Sequence, residues 1–127
     1  MGSSYATRRP VVLIVEDELL IRLQAAQIIE EAEFDVIEAS NADEAIAILE
    51  ARRDISVLFT DIEMPGSMDG LKLAAAVKGR WPPIKIVATS GLVNVRPEDL
   101  PEGGRFLPKP YDPSKLTEII RALAVGH

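Results

Sequence analysis

The chain has 127 residues, enough for one domain around a single hydrophobic core, and its apolar fraction of 47% and charged fraction of 27% are those of an ordinary globular protein. No apolar run approaches the roughly 20 residues that cross a bilayer, nothing resembles a secretory leader, and the absence of cysteine excludes disulfides, thiolate catalysis and Cys-based zinc sites. A net charge of -6 with only two small basic pairs, Arg8-Arg9 and Arg52-Arg53, argues against direct nucleic-acid binding, and a single histidine at the terminal position, His127, argues against histidine acid-base chemistry.

Residues 1–10 are polar and lack periodicity, and read as a flexible N-terminal segment. Val11 to Val15 (VVLIV) is a continuous, mostly β-branched run, the pattern of a strand covered on both faces. Leu19 to Glu31 reads as a helix with acids at its start, and Phe34 to Glu38 as a second strand. Ser40-Asn41 followed by Asp43-Glu44 is a capping-box signature, after which Ala42, Ala45, Ile46 and Leu49 mark one helical face. Ile55 to Thr60 is a third strand, Gly70 to Arg80 a third helix ended by Trp81-Pro82-Pro83, and Ile84 to Thr89 a fourth strand. The stretch from Leu92 to Gly104 carries two prolines and two glycines and leaves room only for a short helix around Pro97 to Leu100. Arg105 to Leu107 is a fifth strand. Asp112 before Pro113 is an N-cap with proline at the first helical position, opening a last helix with Leu116, Ile119, Ile120 and Leu123 on one face.

Five β-α repeats predict an α/β fold with one parallel sheet and helices on both faces. In such sheets chemistry sits beyond the carboxyl ends of the strands. Those ends carry Glu16-Asp17-Glu18, Asp61, Thr89-Ser90 and Lys109. Each has an ordinary reading alone: a solvated helix start, a turn former, a capping hydroxyl, an exposed loop cation. Together they are coherent. Neighbouring carboxylates repel, and a divalent cation with oxygen ligands, such as Mg²⁺, removes that repulsion. A lysine and a hydroxyl supply partners for phosphoryl oxygens, and a carboxylate can act as the nucleophile, giving an aspartyl-phosphate.

The motifs LIVEDE (Leu13 to Glu18), FTDIEMPGSMDG (Phe59 to Gly70), VATSG (Val87 to Gly91) and FLPKP (Phe106 to Pro110) stand in the order of the response-regulator receiver domains of bacterial two-component signalling, which this chain resembles from Val11 to about Val125. The resemblance implies a flavodoxin-like, doubly wound (βα)5 fold, CheY-like, with strand order 2-1-3-4-5. It makes Asp61 the phospho-acceptor. It gives the metal, Mg²⁺ or Mn²⁺, the ligands Asp17, Asp61, Glu16 through water, and the Glu63 backbone carbonyl. It makes Ser90, beside Thr89, the switch hydroxyl, Lys109 the phosphoryl-binding cation, and Phe106 the aromatic switch. Pro110 is expected to follow a cis peptide bond.

The resemblance further implies partners: a sensor histidine kinase or phosphotransfer protein as donor, and a target protein bound through the face of the fourth helix, fifth strand and fifth helix. A homodimer is left open. The expected setting is cytoplasmic, with residues 11–125 forming the receiver domain, no output domain, and phosphoryl taken onto the chain itself, with autodephosphorylation, in place of enzymatic turnover. A stand-alone receiver is favoured over one excised from a longer regulator or hybrid kinase. Three features depart from the family pattern: the extra residue Ser67, the short proline-bearing segment between Ser90 and Phe106, and Phe106 in place of the commoner tyrosine. Two other readings remain. One is a phosphorylation-independent interaction module on the same fold. The other is an aspartyl-phosphate phosphatase using Asp61-Ile62-Glu63, which leaves the EDE and Lys-Pro motifs unexplained. Nucleotide binding lacks its glycine-rich loop.

Overall fold

The computed structural model describes residues 9–66, 68–91 and 95–125. Its centre is β1 (Val11–Val15), buried along its whole length. Successive side chains of a strand point to opposite faces. Val11, Leu13 and Val15 therefore enter one core, and Val12 and Ile14 the other. Around β1 lie α1 (Leu19–Glu31), β2 (Asp35–Ala39), α2 (Ala42–Ala51), β3 (Ile55–Asp61), α3 (Gly70–Arg80), β4 (Lys85–Ser90), β5 (Arg105–Pro108) and α4 (Pro113–Val125). The strands form one parallel sheet in the order β2-β1-β3-β4-β5, as expected.

The first core packs Leu13 and Leu58 of the sheet against Ala45 and Leu49 of α2 and Leu73 and Val77 of α3. The second packs Ile14, Val57 and Phe59 against Ala25 and Ile29 of α1 and Leu116 and Ile120 of α4. Truncating one such fully buried Leu or Ile to Ala costs about 2–5 kcal/mol.

Local chemistry sets the element ends. The Asn41 side chain accepts from Glu44 N at 2.8 Å, and Glu44 Oε1 accepts from Ser40 N at 2.7 Å, a capping pair displaced one residue outward from the ideal box. At the other end of α1, Glu33 N donates to Glu30 O and Phe34 N to Ile29 O. Glu33 takes a φ of 73°. This is a Schellman ending with a non-glycine residue in the left-handed position. It turns Phe34 into the core and delays β2 by one residue from its expected start. Cross-strand pairing moves two other ends: β3 extends to Asp61, which pairs with Thr89, and β4 extends to Ser90, which pairs with Pro108. The fourth helix is reduced to a single 3-10 turn, Pro97–Asp99, so the last helix is α4. The lead-in reading of residues 1–10 falls, apart from Arg9 and Pro10, outside the described residues. No helix among the described residues is long and apolar enough to cross a membrane.

Candidate functional site

The site forms where β1, β3, β4 and β5 end. Asp61 closes β3, and its backbone is fixed on two sides. The Thr60 hydroxyl donates to Asp61 O at 3.0 Å. Next in the chain, Ile62 N donates to Thr89 O at 2.9 Å while Ile62 O accepts Gly70 N at 2.9 Å. The start of α3 thus lies against the end of β3. A Cβ at position 70 would stand 2.0 Å from Asp61 O and 2.7 Å from Ile62 Cα. Only glycine allows that approach.

One carboxylate oxygen from each of Glu16, Asp17 and Asp61 lies within 4.8 Å of the others. Glu16 and Asp61 are buried, and Asp17 is exposed. Lys109 enters from beyond β5. Its amide donates to Ser90 O at 2.9 Å, and its bond to Pro110 is cis. Its ammonium donates to Glu16 Oε1 at 3.2 Å and forms an ion pair with Asp61 Oδ1 at 3.3 Å. The other Glu16 oxygen accepts Glu18 N at 3.1 Å. The Lys109–Asp61 contact lies outside hydrogen-bond geometry, so Asp61 Oδ1 is buried without a hydrogen-bond donor.

Burial, and then the charge of Glu16, push the Asp61 carboxyl up to about 6 against the pull of Lys109, with a further push from Glu63. Burial works to lower the Lys109 ammonium, but Asp61 and Glu16 outweigh it and hold it above its ordinary value. A self-repelling acidic trio that includes a buried oxygen without a donor suits a hard divalent cation with oxygen ligands.

The structure therefore brings Glu16, Asp17, Asp61 and Lys109 together. The Ser90 hydroxyl lies at the same edge but donates to Glu63 Oε2, and Gly91 N donates to Glu63 Oε1 at 3.2 Å. Thr89 pairs with Asp61 in the sheet, but its hydroxyl donates to Leu107 O at 2.7 Å and ties β4 to β5. Phe106 is half-buried against Ile62, Ala88 and Leu100. Ser67 lies outside the described residues.

Two residues escape the sequence reading. Arg22 of α1 donates from Nη1 to Glu16 O at 2.8 Å and from Nε to Glu38 Oε1 at 3.0 Å, clamping the acidic turn to the end of β2. Its position three residues into a helix that follows the EDE run is the one available signal, and it is weak. The second is the Glu63 side chain. Sequence reasoning used its backbone carbonyl as a metal ligand and its carboxylate as the second acid of the phosphatase reading, but not as a partner of Ser90, a contact that spans 27 residues.

The model for the response regulator receiver domain matches residues 12–121. Nitrogen assimilation regulatory protein NtrX of Azorhizobium caulinodans is 34% identical over 112 residues, which cover 85% of this chain and 24% of that protein. Chemotaxis protein CheY of Listeria innocua is 30% identical over 118 residues, covering 89% of this chain and 97% of that protein. The receiver domain of NtrX from Brucella abortus superposes with a TM-score of 0.83 at 28% identity, covering 91% of this chain and 99% of that one. Several curated relatives, NtrX among them, are much longer, and the chain spans between 12% and 24% of their length. With a doubly wound sheet, an acidic cluster at the strand ends and a family match over nearly its whole length, the chain belongs to the response regulator receiver domains of two-component signalling.

Proposed function

We propose that this receiver domain takes a phosphoryl group onto Asp61 from the phosphohistidine of a sensor kinase or phosphotransfer protein, and that the modification alters a protein-binding face. The buried Asp61 Oδ1, free of hydrogen-bond donors and 3.3 Å from Lys109 Nζ, is the observation that carries this reading. An oxygen without a donor keeps its lone pairs available for attack. As the Asp61 O–P bond forms, the donor's N–P bond breaks and its electron pair stays on the imidazole nitrogen. Lys109 stabilises the charge on the transferred group. Glu16, Asp17, Asp61 and the Glu63 carbonyl are the groups that would hold Mg²⁺ or Mn²⁺. When bound, the ion cancels the repulsion among the acids and accepts phosphoryl oxygens.

Ser90 follows Thr89, the sheet partner of Asp61, and Phe106 of β5 packs with Leu100, which follows the Pro97–Asp99 turn. A shift of Ser90 toward the phosphoryl group, with Phe106 turning inward, would carry the change to the surface formed by that turn, β5 and α4. Phosphorylation is stoichiometric, without enzymatic turnover. Residues 11–125 make up the receiver unit, and its setting is cytoplasmic.

The test is labelling by a phosphorylated donor or a small acyl phosphate. We expect one equivalent of acid-stable, base-labile phosphate on the wild type and none on Asp61→Asn. Label that persists on Asp61→Asn would overturn the assignment.

A further inference from the structure

We propose that the Glu63 side chain is a built-in competitor for the donors that a phosphoryl group on Asp61 needs, so that it gates the response of Ser90. The inference rests on the reading of Asp61 as acceptor. Glu63 spreads its two carboxylate oxygens over two donors of the β4 end: Oε2 accepts the Ser90 hydroxyl and Oε1 accepts Gly91 N at 3.2 Å. One hydroxyl and one amide meeting an oxyanion is also the pattern by which a tetrahedral anion would be held there. Ser90 follows Thr89, the direct sheet partner of Asp61, so these donors lie beside the acceptor.

The backbone leading to Glu63 is anchored. Ile62 is hydrogen-bonded to Thr89 on one side and to Gly70 on the other, and this aims position 63 at the β4 end. Glu63 itself is exposed while Ser90 is fully buried. The carboxylate can therefore swing into water and be solvated there, whereas the hydroxyl must keep a partner within the protein or ligand. Exchange of Glu63 for an incoming anion is thus a swap of acceptors at fixed donors. Glu63 also places a negative charge close enough to be felt at Asp61, which opposes the anion until the side chain leaves.

The experiment uses the phosphoryl analogue beryllium fluoride with Mg²⁺, titrated into the whole chain, with binding read by calorimetry and by the Gly91 amide resonance. Glu63→Ala should bind the analogue about tenfold more tightly, the net worth of a charge-assisted hydrogen bond. Its Gly91 resonance, before any addition, should leave the wild-type position. In a Ser90→Ala background the gain should fall to about twofold, because no hydroxyl remains to be released. Unchanged or weaker binding by Glu63→Ala overturns the inference, and so does an equal gain in both backgrounds, which would mean through-space repulsion alone. If the wild type binds no analogue, or Asp61→Asn binds it equally well, the acceptor reading fails and the gate fails with it. Wild-type binding that depends on Asp61 but ignores Glu63 removes the gate alone.

Discussion

Asp61 is held where its charged form is disfavoured, and that has a consequence for stability. Its folded-state pKa, about 6, lies above the ordinary 3.8 because of burial and the nearby Glu16 charge. An acid raised in this way binds its proton more tightly in the fold than in the unfolded chain. The penalty is absent below about pH 4, develops as pH rises through 4 to 6, and is complete at neutral pH. Asp61→Asn removes it. In metal-free buffer the variant should gain about 1–2 kcal/mol over wild type between pH 4 and pH 7.5, a figure reduced from the full shift because solvent at the rim screens part of it. Urea unfolding of both proteins across that range measures the gain. A difference that does not vary with pH would mean that Asp61 ionises in the fold as it does in the open chain. Lys109, 3.3 Å from Asp61 Oδ1, offsets part of the penalty.

Among elements, the contact between β3 and α3 is the least forgiving. Gly70→Ala would force a methyl group to within 2.0 Å of Asp61 O. Because the obstacle is backbone, the helix start has to move. We expect a loss of about 2–4 kcal/mol, seen as a lower thermal midpoint, together with weaker labelling of Asp61. The first turns of α1 pose the opposite situation. Leu19, Leu20 and Leu23 are the exposed large hydrophobics among the described residues, with Leu20 76% exposed. They follow directly on the acidic turn that carries Glu16 and Asp17. Under the proposed function, apolar side chains left in water next to the acidic turn suit contact with a donor protein. Leu20→Asp should leave the unfolding midpoint within about 0.5 kcal/mol of wild type and leave labelling by a small acyl phosphate unchanged. It should slow transfer from a phosphorylated partner at least tenfold. Transfer from the phosphorylated partner at the wild-type rate would exclude this helix from the docking surface.

At the scale of the molecule, the proposed metal site predicts that stability depends on cation concentration. A metal that binds the fold and not the unfolded chain stabilises by mass action, about 2.7 kcal/mol at a hundredfold excess over the dissociation constant. Mg²⁺ should therefore raise the thermal midpoint of the wild type and should raise that of Asp17→Asn much less, as scanning calorimetry would show. Much of this architecture is legible in the sequence because it depends on short-range patterns. The five-residue run at Val11 announces a two-faced central strand, Asn41 and Asp112 announce helix starts, and the charged residues fall where strands must end. What depends on pairing between distant segments is not legible. Strand ends shift to Asp61 and Ser90 to meet their neighbours, Thr89 turns out to serve β5, and Arg22 and Glu63 find partners through the fold alone. The Ile62–Gly70 hydrogen bond has a further consequence. It closes the neck of the loop between β3 and α3 at 2.9 Å, so the loop's length is decoupled from the position of Asp61. Lengthening such a closed loop costs little, about 0.6 kcal/mol for each doubling. The same neck makes the loop a port where a reporter group can be inserted within reach of Asp61.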